Sequence, residues 1–145
     1  MPLRLEIVTA ERALFEGDVD LVVAPGAEGE LGVLPHHAAV MTTLQAGELR
    51  YRAGGQETHF AVHGGFMDIR GGHVVVLADA AERVEEIDEA RAEEAMRRAQ
   101  ERVRTQGADV DLERALASLR RAQVRLTVSR HRRRQRPTAP GSAPE

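Results

Sequence analysis

The residue pattern changes abruptly near residue 80, and this change restricts the chain to an architecture of two unlike parts. Before it, short segments such as Leu3–Val8 and Val19–Val23 alternate apolar and polar residues between glycine turns, as strands with one buried face do. After it, residues 81–129 consist mostly of good helix formers and charged residues. We therefore expect an α+β fold in which a β-sandwich or barrel precedes a helical appendage.

Two pairs of glycines predict β-hairpins in the first part. Gly54-Gly55 and Gly71-Gly72 each stand between two alternating apolar segments. Such pairs favour tight turns, because glycine adopts positive φ angles without steric cost. With the segments before residue 45, the hairpins give eight or more short strands, a number typical of a sandwich or barrel.

The second part predicts an antiparallel hairpin of two helices. The first spans about residues 87–104, with apolar positions at helical spacing: Ala92, Ala95, Met96, Ala99 and Val103. Gln106-Gly107 is expected to end it, and Asp109 or Asp111 to cap the next helix. The stripe of the second helix comprises Leu112, Leu116, Leu119, Gln123 and Leu126. Alanine would then face leucine, which allows the two axes to approach closely.

The composition excludes several classes of function. The chain has no cysteine, so disulfides and thiol catalysis are excluded. It has no apolar stretch of bilayer-spanning length, and its N-terminus lacks the basic and apolar regions of a secretion signal. It also lacks a glycine-rich phosphate loop and a recognisable Ser-His-Asp order. The sequence therefore contains no recognisable catalytic motif.

The six histidines do not predict a metal site. His36 and His37 are adjacent, so on a strand they would point to opposite faces. His59, His63 and His73 have no cysteine or suitably spaced carboxylate beside them in the sequence. We therefore expect no bound metal.

Charge is distributed unevenly along the helical part. Residues 82–113 hold 11 acidic residues and 6 arginines, whereas residues 114–145 hold 1 acidic residue and 9 arginines. These opposite charges favour a folded-back hairpin, although exposed ion pairs contribute little individually. The arginine-rich run 130–136 passes into a proline-rich end, so we expect residues 130–145 to form a disordered basic tail.

Three segments together resemble one protein family. The segment EGELGVLPHHA at residues 28–38 is similar to the GELGILPGHA segment of the epsilon subunit of bacterial and chloroplast F-type ATP synthases. Residues 64–69 resemble that family's SGGFLEV strand, and residues 77–83 resemble its LADxAER junction. The likeness runs from about Leu3 to Val128. His36 departs from the family by replacing a glycine, and Ala39 by replacing a proline.

This resemblance implies a non-catalytic subunit of the rotor of a proton-translocating ATP synthase. It implies a ten-stranded β-sandwich (residues 1–84) that binds the gamma subunit and the ring of c subunits. It also implies a regulatory helical hairpin (residues 85–129) that extends into the alpha/beta catalytic hexamer and inhibits ATP hydrolysis. The protein would lie at the cytoplasmic face of the bacterial cell membrane, attached through the complex only.

The resemblance also implies a site for regulatory ATP, with no cofactor required. Residues 87–92 (IDEARA) look like the I/L-D-x-x-R-A motif by which some family members bind ATP. The residues that match the site are Glu82, Ile87, Asp88, Arg91, Ala92, Arg121 and Arg125. Guanidinium groups suit triphosphate oxygens. The alternative is that Asp88 caps the helix and Arg91 pairs with an acid one turn away.

Two further sets of residues follow from the family pattern. Glu30 and His37 match positions that face the c ring and gamma; alternatively, both are ordinary loop residues. The second helix carries four arginines that would contact acidic surface of the hexamer in the extended state: Arg114, Arg120, Arg121 and Arg125. Alternatively, these arginines form a solvated face.

Two other classes of function remain open from the residues alone. The arginine-rich tail would suit a β module that binds nucleic acid or an anionic lipid surface. However, the rest of the chain is acidic and poor in stacking aromatics, so no nucleic acid is expected. A β-barrel metal hydrolase is the other alternative.

Overall fold

The computed structural model describes residues 3–105 and 109–135, with side chains described in the second helix from residue 112 to residue 131. A short 3₁₀ turn, Val84–Glu86, joins the strands to the helices. The elements in chain order are β1 (Leu3–Val8), β2 (Ala13–Val19), β3 (Leu21–Gly26), β4 (Gly29–Val33), β5 (Val40–Ala53), β6 (Gln56–Arg70), β7 (His73–Ala78), β8 (Ala81–Arg83), α1 (Glu89–Thr105) and α2 (Asp109–Gln135).

The strands form one continuous hydrogen-bonded sheet in the order β2-β1-β7-β6-β5-β3-β4, with β8 paired to β6. Only β1 and β7 pair in parallel; the other described pairs are antiparallel. The long strands β5 and β6 pair along their whole length and bend together. The other edge of β6 pairs with β8 before the bend and with β7 after it, and the other edge of β5 pairs with β3. The sheet thereby folds into two layers.

The α+β class is confirmed, but the strand number is eight among the described residues rather than ten. The difference lies in the two long strands. The segments 40–44 and 48–52 are both parts of β5, and the segments 58–62 and 64–69 are both parts of β6. The β5–β6 pairing keeps one register on both sides of the bend, so neither strand is divided by a loop.

A single apolar core lies between the two layers. Leu5, Ile7 and Met67 come from one layer, and Val22, Leu49 and Phe60 from the other; all six are fully buried. Phe15 stacks on Tyr51 with ring centroids 4.3 Å apart, which adds an aromatic contact between β2 and β5. Among the described side chains, none of α1 or α2 belongs to this core, so the sandwich has an apolar interior of its own.

Gly65 makes the bend in β6 sterically feasible. Its φ angle is +128°, and a Cβ atom there would lie far inside van der Waals contact with the carbonyl oxygen of Leu77. The inward-facing positions of β6 are even-numbered before the bend, as at Phe60, and odd-numbered after it, as at Met67. The bend therefore exchanges the two faces of the strand.

The helices pack against each other through small residues. Ala92 and Ala99 on α1 and Ala115, Ala122 and Leu126 on α2 are buried, whereas Val128, also buried, packs against the sandwich. The predicted stripe on α2 is therefore partly wrong: Leu116 and Gln123 are exposed, because the buried face of the helix is rotated toward the alanines. Alanine against alanine permits an even closer approach of the axes.

The limits of the helices differ from the prediction in one respect. Asp88 accepts a hydrogen bond from the Arg91 amide (3.1 Å) and caps α1. α2 continues to Gln135, beyond the predicted boundary at residue 129. The predicted stop at Gln106-Gly107 and the predicted disorder of residues 136–145 lie outside the described residues. Neither described helix has an apolar stretch that could span a membrane.

We predict that Gly65→Ala destabilises the sandwich by about 2–4 kcal/mol, because the new methyl group adds backbone strain and a steric clash at a positive φ angle. The free energy of unfolding is measured by urea denaturation. Gly32→Ala is the matched control: Gly32 lies on β4 without a positive φ angle and with open space around it. Its effect should stay within about 0.5 kcal/mol, and equal effects of both changes would contradict the role of the bend.

Candidate functional site

The helical arm (α1 and α2) lies on the outer face of one layer of the sandwich. In the first half of β6, Phe60 and Val62 point into the core, so His59, Ala61 and His63 point outward. α2 crosses above them and contacts β5, β6 and the 3₁₀ turn. α1 packs mainly against α2. The arm is thus attached through one helix.

A small apolar cluster forms the centre of this attachment. Ala61 of β6, Val84 of the 3₁₀ turn and Val128 of α2 are buried together, and Ile87 and Val124 pack against them. This cluster is separate from the core of the sandwich. Few apolar groups therefore hold the arm, and polar contacts surround them.

On one side of the cluster, Glu82 of β8 binds Arg125 of α2. The Arg125 Nε atom lies 2.6 Å from Glu82 Oε1, and His63 Nε2 lies 3.8 Å from the same oxygen. Partial burial alone would raise the pKa of Glu82, but the nearby His63 and the hydrogen bond and charge of Arg125 lower it below its ordinary value. The carboxylate is therefore ionised at neutral pH and pairs with Arg125.

On the other side, Glu48 of β5 binds His131 of α2. The His131 Nδ1 atom lies 2.8 Å from Glu48 Oε2, and the Nδ1 atom of His59 lies 3.6 Å from Glu48 Oε1. Burial again opposes ionisation, yet the nearby His59 and the hydrogen bond with His131 give Glu48 a pKa below its ordinary value. The sequence could not indicate this group, because β5, β6 and α2 supply one residue each.

A groove between the two helices and the sheet combines several basic residues. Its volume is about 460 Å³, and its lining residues are His63, Glu82, Ala95, Arg98, Ala99, Arg102, Ser118, Arg121, Ala122 and Arg125. We call it the arginine groove after its four arginines: Arg98, Arg102, Arg121 and Arg125. Arg98 and Arg102 lie four residues apart on α1, and Arg121 and Arg125 lie four residues apart on α2. The two arginines of each helix therefore share one face of that helix. Such a surface attracts polyanions.

The arginine groove contains some of the residues predicted for nucleotide binding and not others. Glu82, Arg121 and Arg125 line it. Asp88 caps α1, and the Arg91 side chain is 85% exposed with its Nε 3.9 Å from Asp88. Ile87 packs on the apolar cluster and Ala92 is buried between the helices, so neither offers an open ledge to a base. The prediction missed Arg98 and Arg102, whose spacing in the sequence was the available signal.

The residues predicted to meet the c ring lie near or within a loop at the end of the sandwich. Glu30 Oε1 lies 3.1 Å from Arg50 Nη1, and the Nδ1 atom of His37 lies 2.7 Å from the Ala38 oxygen. Pro35 and His36 form a tight turn in which the His37 amide donates to the Leu34 oxygen. His36 has φ = +71°, which explains why glycine suits this position in the family resembled above.

The predicted inhibitory arginines do not lie together. Arg114 and Arg120 are exposed on α2, whereas Arg121 and Arg125 line the groove. Arg121 Nη2 donates to Ser118 Oγ at 3.0 Å. Near the end of α2, Arg130 lies 2.9 Å from Glu93 and 3.5 Å from Glu89 of α1. Part of the basic tail region therefore binds the acidic helix.

An exposed apolar surface lies on the layer that the arm does not cover. Phe66 pairs with Leu77 across β6 and β7, and Met41 stands diagonally beside Phe66 on β5. Their exposures are 50% for Phe66, 53% for Leu77 and 65% for Met41. We call these three residues the outer patch. Sequence alternation alone did not reveal it, because the bend at Gly65 changes which residues of β6 face outward.

Comparison with protein families gives two matches that together span most of the chain. Residues 2–84 match the family described as "ATP synthase, Delta/Epsilon chain, beta-sandwich domain". Residues 85–130 match "ATP synthase, Delta/Epsilon chain, long alpha-helix domain".

Similar sequences and solved structures agree with these matches. The ATP synthase epsilon chain of Dehalococcoides mccartyi strain CBDB1 is 54% identical over 137 residues, covering 91% of this chain and 95% of the relative. That of Herpetosiphon aurantiacus is 49% identical, covering 92% and 98%. A chain from the Euglena gracilis mitochondrial ATP synthase, "OSCP/F1/c-ring in rotational state 1", has a TM-score of 0.77 at 22% identity, covering 84% of this chain and 78% of that one. A chain from the Tetrahymena thermophila "central stalk/cring" has a TM-score of 0.62 at 14% identity, covering 89% and 97%.

Proposed function

The chain belongs to the delta/epsilon chain family of ATP synthase, and from this premise we propose that it is a non-catalytic subunit of the enzyme's central stalk. The relatives named above carry the name epsilon chain. The solved structures with the same fold come from assemblies described as F1/c-ring and central stalk/c-ring. The sandwich then joins the gamma subunit to the c ring, at the cytoplasmic face of the membrane.

The outer patch is the observation that carries this proposal. Three large apolar side chains from β5, β6 and β7 lie side by side and exposed. Contiguous apolar surface of this kind marks a protein-binding face. It lies on the opposite layer from the arm, so a partner such as gamma can bind while α2 stays docked. Glu30 and His37 would contact the c ring or gamma from the adjoining end of the sandwich.

The helical arm supports a second role as a brake on ATP hydrolysis. Its attachment to the sandwich consists of a small apolar cluster flanked by the pairs Glu82–Arg125 and Glu48–His131. Elements held by few buried apolar contacts open at low free-energy cost. After opening, Arg114, Arg120, Arg121 and Arg125 would meet acidic surface of the alpha/beta hexamer and hold it in a blocked state.

ATP is the proposed regulatory ligand of the docked arm. The arginine groove brings four guanidinium groups from both helices to one cavity. A bound triphosphate would link α1 to α2 and favour the docked arrangement. The predicted residues Ile87, Asp88, Arg91 and Ala92 lie at the start of α1. They would take part if the nucleotide extends along that helix.

The alternative of a nucleic-acid-binding or lipid-binding β module receives no support from the comparisons, which match the chain to ATP synthase subunits from the sandwich through residue 130. Arg130 is engaged with Glu89 and Glu93 of α1. The side chains of residues 132–136 lie outside the described part of the chain.

We predict that Phe66→Glu weakens binding to the gamma subunit at least about tenfold, because a charge would be buried in an apolar interface. Affinity is measured by surface plasmon resonance with purified gamma. Leu116→Glu is the control: it introduces the same charge at an exposed leucine of α2, away from the outer patch. Unchanged affinity of Phe66→Glu would contradict the assignment of the patch.

We predict that a chain ending at Glu86 still binds gamma but inhibits hydrolysis much less than the full chain. No described residue of the helices belongs to the sandwich core, so this shorter chain retains its apolar interior. Both chains are added to a rotary ATPase from which the native subunit has been removed, and ATP turnover is measured. Equal inhibition by the two chains would exclude the arm as the brake.

We predict that Arg121→Ala combined with Arg125→Ala weakens ATP binding by at least about tenfold, because two charge-assisted contacts are lost. Isothermal calorimetry of the isolated chain measures the affinity. Arg97→Ala is the control: it removes an exposed arginine of α1 that does not line the groove. If the unaltered chain binds no ATP, the regulatory role of ATP is wrong, whereas the stalk role is unaffected.

A further inference from the structure

Glu48, His59 and His131, which we call the junction cluster, meet where α2 crosses the outer face of the sandwich. One potential ligand atom from each residue lies within 4.8 Å of the other two. Glu48 comes from β5, His59 from β6 and His131 from the last turns of α2. The cluster therefore exists only while the arm is docked.

His59 is the unusual member of this cluster. It is only 3% exposed, and its Nδ1 atom is buried without a hydrogen-bond partner. The nearest acceptor in the cluster, Glu48 Oε1, lies 3.6 Å away, which is longer than a hydrogen bond. A buried polar atom left without a partner costs free energy, so such an atom requires an explanation. A ligand between His59 and Glu48 would supply the missing contact.

We propose that Glu48, His59 and His131 bind a divalent transition-metal ion of the zinc type, which fastens the helical arm to the sandwich. Two imidazole nitrogens and one carboxylate form a common ligand set for zinc, with water completing the tetrahedron. Imidazole ligands select zinc and its neighbours in the transition series over magnesium and calcium, which prefer oxygen.

The distances in the cluster suit such an ion. Metal–ligand bonds of about 2.0–2.1 Å place adjacent tetrahedral ligand atoms roughly 3.3 Å apart. The observed separations from Glu48 are 2.8 Å to His131 and 3.6 Å to His59, on either side of this value. The three ligand atoms all lie within 4.8 Å of one another, so the two imidazole rings would move closer together when the metal binds. The metal would replace the direct contact between His131 and Glu48.

Neighbouring charges complete the surroundings of the site. Glu57 Oε2 lies 3.6 Å from His59 Nε2, on the ring edge opposite the cluster. This separation is longer than a hydrogen bond, but the negative charge of Glu57 beside the ring favours cation binding at Nδ1. Arg50 Nη1 lies 3.1 Å from Glu48 Oε1 and would compete with a cation, but it lies equally close to Glu30 Oε1. Arg50 can therefore keep one carboxylate partner when Glu48 binds the metal.

The comparison with His63 shows why only one of the two buried histidines is assigned to a metal. The His63 Nδ1 atom is also buried without a hydrogen-bond partner. However, the carboxylate beside this ring, Glu82, is bound by Arg125 at 2.6 Å. A guanidinium group already supplies the positive charge there. At Glu48, by contrast, α2 contributes a histidine, whose ring nitrogen can bind a metal.

Because the ligands come from both the sandwich and α2, metal binding and arm docking are coupled. An ion that binds only the docked arrangement stabilises it by mass action. The site stands on the geometry alone and does not depend on the proposed braking function. If the arm is a brake, zinc would hold it docked on the sandwich, where it does not inhibit hydrolysis.

The test uses the full chain without a polyhistidine tag. Zn²⁺ is titrated by calorimetry in excess Mg²⁺, and hydrogen exchange of residues 120–131 is followed by mass spectrometry with and without Zn²⁺. We expect one Zn²⁺ per chain and slower exchange in α2 on binding. His131→Ala and Glu48→Gln should each weaken Zn²⁺ binding at least about tenfold and abolish the zinc-dependent change in exchange.

His73→Ala is the control, because His73 is a surface histidine that also contacts a glutamate, Glu6 at 2.9 Å, outside the cluster. It should bind Zn²⁺ as the unaltered chain does. His131 is partly exposed, so its removal leaves the sandwich intact, which circular dichroism verifies. The proposal is overturned if the unaltered chain binds no Zn²⁺ or if both cluster variants bind it normally. It is also overturned if binding leaves exchange in α2 unchanged.

Discussion

The exchange of faces at Gly64-Gly65 is the constraint on which the arrangement of this molecule depends. Before the bend, β6 turns His59, Ala61 and His63 toward the helical arm; after it, the same strand presents Phe66 on the opposite side of the sandwich. A strand of unbroken alternation could not fill one core from both halves and also serve two outer surfaces. The absence of a Cβ atom at Gly65 permits the close approach to Leu77. One strand thus connects the surface proposed for gamma with the surface that holds the arm.

The attachment of the arm combines weak apolar packing with charged contacts at both sides. Ala61, Val84 and Val128 bury little area compared with the core of the sandwich, so their contribution is small. The flanking pairs Glu82–Arg125 and Glu48–His131 depend on geometry and on partial shielding from water. Such contacts can be exchanged for others of similar strength elsewhere. This makes the arm suitable for control by a ligand that bridges its parts.

The sequence predicted what local chemistry determines and missed what long-range packing determines. The turns at Gly54-Gly55 and Gly71-Gly72 have positive φ angles, as expected of tight hairpins, and the two helices begin close to their predicted starts. The sequence pattern suggested separate strands at 40–44, 48–52, 58–62 and 64–69, whereas the structure merges them into β5 and β6. The glycines between these segments, Gly47 in β5 and Gly64-Gly65 in β6, indicate a bend and a turn equally well. Glu48 and His131 lie 83 residues apart, so no spacing rule could unite them. The stripe on α2 was misplaced because hydrophobicity favoured leucine, whereas close packing favoured alanine at Ala115 and Ala122.

The parallel pairing of β1 with β7 has a consequence for folding during synthesis on the ribosome. β1 is made well before β7, so its partner on one side is completed only when residue 78 leaves the exit tunnel. Until then the first strand has β2 on one edge and an open edge on the other. Closure of the sandwich therefore waits for nearly the whole domain, and such non-local pairing is slow. The arm follows the sandwich along the chain, so the strands that carry its docking surface, β5 and β6, are made before α2.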